Sequence, residues 1–160
     1  MSAANINVNS SIIPQEFVRG WPVISAAVMG IGLGMSPLPF YTIGVFIGPI
    51  SEEFGWAPSK VLLALSVYTV FIVFMAPFIG MVTDRIGARK VALTSIVMFG
   101  ISMMMQSLHT GSLTLYIALW AFIAIFGAGT LPITFTKAIN NRFDIHRGKA
   151  LGIALVSTGV

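Results

Sequence analysis

Long uncharged runs separated by short polar ones organise the chain. No charged residue lies between positions 20 and 51 or between 61 and 83, and apolar stretches recur over 91–108 and 113–138. About twenty apolar residues suffice to cross a bilayer core. Each run therefore predicts a transmembrane helix, with spans at 21–50, 61–82, 91–108 and 113–138 and the start of a fifth at 148–160. Trp21 and Trp56 suit the membrane interface, and Pro22 suits a first helical turn, where its missing N–H costs nothing. The last run stops at Val160, short of a full span. The expectation is the N-terminal part of a longer all-α membrane protein, completed by a missing C-terminal half.

Composition agrees with this pattern. Charged residues make up 9% of the 160 positions, against about a quarter in soluble domains, and the mean hydropathy is +0.93. The net charge of +4 comes from cations in loops beside spans, with no basic face for a nucleic acid to follow. Those loops set the topology. Asp84, Arg85, Arg89 and Lys90 form one basic turn, and Lys137, Arg142, Arg147 and Lys149 against Asp144 form another. The intervening loop carries Glu52 and Glu53 against Lys60, and the turn at 106–112 has no formal charge. Lys and Arg are retained on the cytoplasmic side, which predicts a plasma (inner) membrane protein with its N-terminus inside. Residues 1–19 are polar, lack the pattern of a signal peptide, and read as a mobile cytoplasmic tail.

The first span is irregular. Gly30, Gly32, Gly34, Pro37 and Pro39 crowd its middle, and each Pro removes a backbone hydrogen bond. Such breaks persist in lipid only where neighbours or a water-filled cavity satisfy the freed groups. The pattern Gly32-x-Gly34-x-x-Pro37-x-x-Phe40 recurs in span four as Gly127-x-Gly129-x-x-Pro132-x-x-Phe135. By the loop charges the two copies run in opposite directions, as an inverted repeat of three-helix units requires, and interrupted helices in corresponding positions point to a transport site near mid-membrane. Helix packing through small residues would explain the glycines, but less easily the prolines. Gly34, Pro37, Tyr41, Tyr68, Thr130 and Pro132 are thus candidates to line a cavity. The Tyr phenols could meet a carboxylate or an aromatic ring, or simply pack between helices. No charge lies deep in spans one to four; Lys137, one turn from the cytoplasmic end, is expected to snorkel to the interface.

The turn after span two, Gly80-x-x-x-Asp84-Arg85-x-Gly87-x-Arg89-Lys90, resembles the signature loop between helices 2 and 3 of the major facilitator superfamily. The resemblance implies the N-terminal portion of the twelve-helix fold, with inverted three-helix repeats. It also implies that Gly80, Asp84, Arg85, Gly87, Arg89 and Lys90 form a conformational latch, Asp84 at its centre, bracing the two six-helix halves through a partner in the second half. Two further segments, Gly44-Val45-Phe46 with Pro49 and Glu53-Phe54-Gly55-Trp56, and Phe143 with Arg147-Gly148 and Ala150-Leu151-Gly152, are similar to the monocarboxylate and oxalate:formate antiporter group. That branch implies secondary active transport of small organic anions, mono- or dicarboxylates, by alternating access. One departure qualifies it: span one lacks the Lys of the animal monocarboxylate carriers, so proton coupling through that residue does not carry over. Ile123, standing where drug:proton antiporters carry an Arg, weakens the drug-efflux reading instead. A carrier for another solute class (drug or sugar), or a non-transporting membrane sensor with the same fold, is the alternative.

An enzyme is not expected. His109 and His146 fall in loops assigned to opposite sides of the membrane, so they cannot share a metal, and no catalytic triad or carboxylate pair converges. Gly32-x-Gly34 follows no strand and lacks a third Gly, so no dinucleotide cofactor is expected.

Overall fold

The computed structural model describes residues 12–143 and 147–157, with side chains from Gly20 onward; residues 1–11 of the expected tail, Asp144, His146 and 158–160 of the fifth span lie outside the described residues. Among the described residues all regular structure is helical. Helix α1 (Ile12–Gly32) leads through a turn into α2 (Leu38–Phe54), and α3 (Pro58–Ile86) is followed by α4 (Ala88–Met105) with a closing 3-10 turn, Gln106–Leu108. Next, α5 (Leu113–Gly127) passes through a second 3-10 turn, Ala128–Thr130, into α6 (Pro132–Asn140), and α7 (Arg147–Val156) ends the described chain.

Three stretches are long and apolar enough to cross a membrane: Pro58–Ile86, Ala88–Leu108 and Leu113–Asn140. The 29 residues of the first extend for about 43 Å, beyond the ~30 Å of a hydrocarbon core. The outward faces of α3 and α4 carry Val73, Phe74, Phe78, Val97 and Met104, all exposed. A continuous apolar exterior of this kind belongs in lipid.

Two boundaries differ from the sequence reading. The described part of α1 is already helical at Ile12, so residues 12–19, expected as a mobile tail, are helical, with Ile12, Ile13, Phe17 and Val18 giving a helix-compatible pattern. The first span is also two helices joined by a turn over 33–37, where the prolines and glycines deny the backbone its ladder.

The core has two centres. One joins Met35, Val61, Ala64, Tyr68, Tyr116, Trp120 and Ile123, where α3 packs on α5. The other joins Ile24, Ile31, Phe135, Ile139, Phe143 and Ala150, where α1 packs on α7 and α6. The pairing of α1 with α7 mirrors that of α5 with α3, as the repeat predicts. The copies also start at opposite ends: Gly20 lies under the Phe143 ring, whereas the start of α5 adjoins Phe54 and Trp56, with ring centroids 4.9 Å from Phe54 to His109 and 5.6 Å from Trp56 to Tyr116.

Candidate functional site

The crossing of the two interrupted spans is built around one backbone unit. The Met35 N–H donates to Thr130 Oγ1 at 3.0 Å, and the Thr130 hydroxyl donates to the Gly127 carbonyl at 2.8 Å. The Met35 carbonyl accepts from the Tyr68 hydroxyl of α3. Met35, Tyr68 and Thr130 are each fully buried. A buried backbone group left unpaired costs about 1–3 kcal/mol; Tyr68 serves the carbonyl for which Pro39 has no N–H, and Thr130 serves the N–H that the turn over 33–37 leaves outside a helix.

Small residues allow close packing at both breaks, Gly34 against Thr130 of span four and Gly129 against Ser95 of α4. A Cβ on Gly34 would lie 2.4 Å from the Gly30 carbonyl oxygen and 3.1 Å from that of Thr130, and one on Gly129 would lie 2.1 Å from Ser95 Oγ. Neither site has room for a methyl group. Each interruption then ends on a proline: Pro37 immediately precedes α2, and Pro132 opens α6, the position where a fixed φ is pre-organised for helix. Phe40 meets Tyr68 edge-on at 5.9 Å, and Tyr68 meets Trp120 at 5.6 Å.

Five of the six cavity candidates thus converge: Gly34, Pro37, Tyr68, Thr130 and Pro132 surround this crossing. Tyr41 does not, since it stands 62% exposed on α2. The hydroxyls of Tyr68 and Thr130 are engaged with backbone, so in this structure they hold the break closed instead of facing open space. A cavity of about 310 Å³ adjoins Thr130, lined otherwise by apolar groups including Met29, Leu33 and Phe99.

The basic turn forms the second part of the site. Gly87, at φ 90, ends α3, and its N–H donates to the Thr83 carbonyl; this conformation is open to glycine and costly for other residues. The turn therefore reverses the chain within one residue. Lys137 Nζ reaches across from α6 to donate to Asp84 Oδ1 at 2.7 Å and to the Gly80 carbonyl at 2.9 Å. Arg85, Arg89 and Lys90 stand exposed at the same end.

Lys137, expected to snorkel, is paired here with Asp84 and the Gly80 carbonyl, so Asp84 has a partner in span four of this chain. The signal was present in the sequence: the lone anion of one basic turn and the lone cation within span four fall at the same end of the bundle. Met35 was not singled out either, because a backbone donor and acceptor carry no side-chain signature.

Comparisons with known proteins agree with the geometry. The chain is 24% identical over 151 residues to the "Uncharacterized MFS-type transporter YfiU" of Bacillus subtilis (strain 168), covering 94% of this chain and 28% of that protein. It is 26% identical over 112 residues to the "Inner membrane transport protein YnfM" of Escherichia coli (strain K12), covering 68% of this chain and 27% of that protein. It therefore spans little more than a quarter of the length of these curated relatives. No solved structure matches it. The sequence profile described as the Major Facilitator Superfamily matches residues 29–160, and the chain belongs to that family.

Proposed function

We propose that the chain is the N-terminal part of a secondary active transporter that moves small organic anions, mono- or dicarboxylates, by alternating access across the plasma (inner) membrane, its N-terminus in the cytoplasm. The cross-bracing of the two interrupted spans through Met35 carries this reading. It makes spans one, two and four a single body able to rock without unravelling at its breaks, as movement around a mid-membrane site requires. The Asp84–Lys137 pair lies on the surface of that body, with the Asp84 side chain 68% exposed. Exposed pairs contribute about 0–1 kcal/mol, a scale suited to a contact that forms and breaks in each cycle.

The carboxylate class rests on the segments around Glu53 and Arg147 that resemble the monocarboxylate and oxalate:formate group. Spans one to four supply hydroxyls, amides and rings at mid-depth and no fixed charge, so the anion's counter-charge belongs to the half beyond this chain. Counterflow in proteoliposomes with the full-length protein tests the reading: labelled oxalate, formate or lactate exchanges against unlabelled carboxylate inside. Saturable binding without exchange would support a sensor, and exchange of sugars or drugs alone would reject the anion assignment.

A further inference from the structure

A second cavity, of about 500 Å³, opens where α2 stands away from α5 and from the 3-10 turn after α4. It lies at the end opposite the basic turn. Its wall includes Phe46, Glu53, Gln106, His109, Tyr116 and Trp120, and the volume is in the range of small-molecule sites. The wall is unusual in its polar groups. Both side-chain atoms of Gln106, His109 Nε2, the Tyr116 hydroxyl and the Trp120 N–H are buried, with no hydrogen-bond partner among the described residues. Tyr116 adjoins both Trp120 and His109, ring centroids 6.2 and 5.5 Å away, and a small movement would pair its hydroxyl with them; the Gln106 amide stays unmet. Unpaired buried polar groups are costly, and several around one cavity mark a place that a ligand completes.

The chemistry of the wall selects the ligand's charge. His109 Nδ1 lies 2.5 Å from the Gln106 carbonyl, which can only accept, so Nδ1 carries the proton, and in that tautomer Nε2 offers a lone pair. Gln106 Oε1 and the Glu53 carboxylate are further acceptors. Glu53 is the one formally charged residue of the wall, and no Lys or Arg lines it among the described residues. The faces of Tyr116, Trp120 and Phe46 supply the negative quadrupole that attracts cations. Trp120 stands about 10 Å deeper than the start of α5, and its N–H asks for an acceptor on the inner part of the ligand.

We propose that this cavity is a binding site for a protonated aromatic amine that carries a hydrogen-bonding oxygen, its ammonium held by Glu53, Gln106 and His109 near the mouth and its ring among Phe46, Tyr116 and Trp120. The site lies outward of the crossing of the broken spans and meets it at Trp120, whose ring packs on Tyr68, and its role rests on the anion reading proposed above. Its ligand has the opposite charge to the proposed substrate, which assigns it a regulatory or inhibitory role.

Isothermal titration of the detergent-purified full-length protein tests this with two probes of one size, tyramine and 4-hydroxyphenylacetate. Tyramine is expected to bind saturably and the carboxylate not to compete. Glu53→Gln should weaken tyramine binding by about threefold, and Gln106→Leu by about fivefold, while carboxylate counterflow in Glu53→Gln stays at the parental rate. Glu53 is exposed, so its variant folds even if a core substitution such as Trp120→Phe does not. Equal or tighter binding of 4-hydroxyphenylacetate, no saturable tyramine binding, or an unchanged Kd in both variants would overturn the site. Failure of counterflow with tyramine binding intact would instead overturn the transport reading alone.

Discussion

Met35 shows how a single residue can carry a break in a membrane helix. Its donor and its acceptor are met by Thr130 and Tyr68, so the hydroxyls at the crossing are structural before they are anything else. Thr130→Val and Tyr68→Phe are each expected to lower the stability of the full-length protein by about 1–3 kcal/mol, read from thermal unfolding in detergent. Thr134→Val makes the contrast. That hydroxyl is buried with no partner among the described residues, so replacing it with an isosteric methyl should be neutral or stabilising. An equal loss in all three would mean that packing, not backbone satisfaction, sets the effect. The sequence marked Tyr68 and Thr130 as polar groups in an apolar setting. It could not show that their partner was a main-chain unit, since every residue but proline carries the same two groups.

Among elements, an ion pair joins the last turn of α3 to α6. Asp84→Asn and Lys137→Gln are each predicted to slow counterflow without reducing membrane insertion. The double variant should be no slower than the slower single, because residues acting through one contact are not additive; independent, multiplying losses would show that the two charges work separately. Three spans and the basic turn were legible because run length and charge placement are local properties. The interrupted helices were legible too, through Gly32-x-Gly34-x-x-Pro37 and its copy at Gly127. The extension of α1 back to Ile12 was not, since a polar neighbourhood masked four apolar positions. The Asp84–Lys137 contact joins positions 53 residues apart, and nothing local pairs them. That Tyr41 stands apart from the other five was not legible for the same reason: which side of α2 meets α3 depends on packing, not on the order of residues.

For the molecule as a whole, the two ends differ in charge. Arg85, Arg89, Lys90, Lys137, Arg142, Arg147 and Lys149 gather at one end, and Glu52, Glu53 and Lys60 at the other. With no Cys in this chain, cysteines placed singly at Arg89 and Glu52 give clean reporters in a full-length background freed of other thiols. An impermeant maleimide on intact cells is expected to label position 52 and to reach position 89 only after lysis. The reverse pattern would invert the assigned topology.

The Met35–Thr130 bond spans 95 residues, and this bears on how the chain is made. While the first span is entering the bilayer, the group that will occupy its gap has not yet left the ribosome. Until the fourth span arrives, the gap must borrow water or the insertion machinery. Early truncations that stop short of Thr130 should therefore leave the first hydrophobic segment poorly seated, however greasy it is on average.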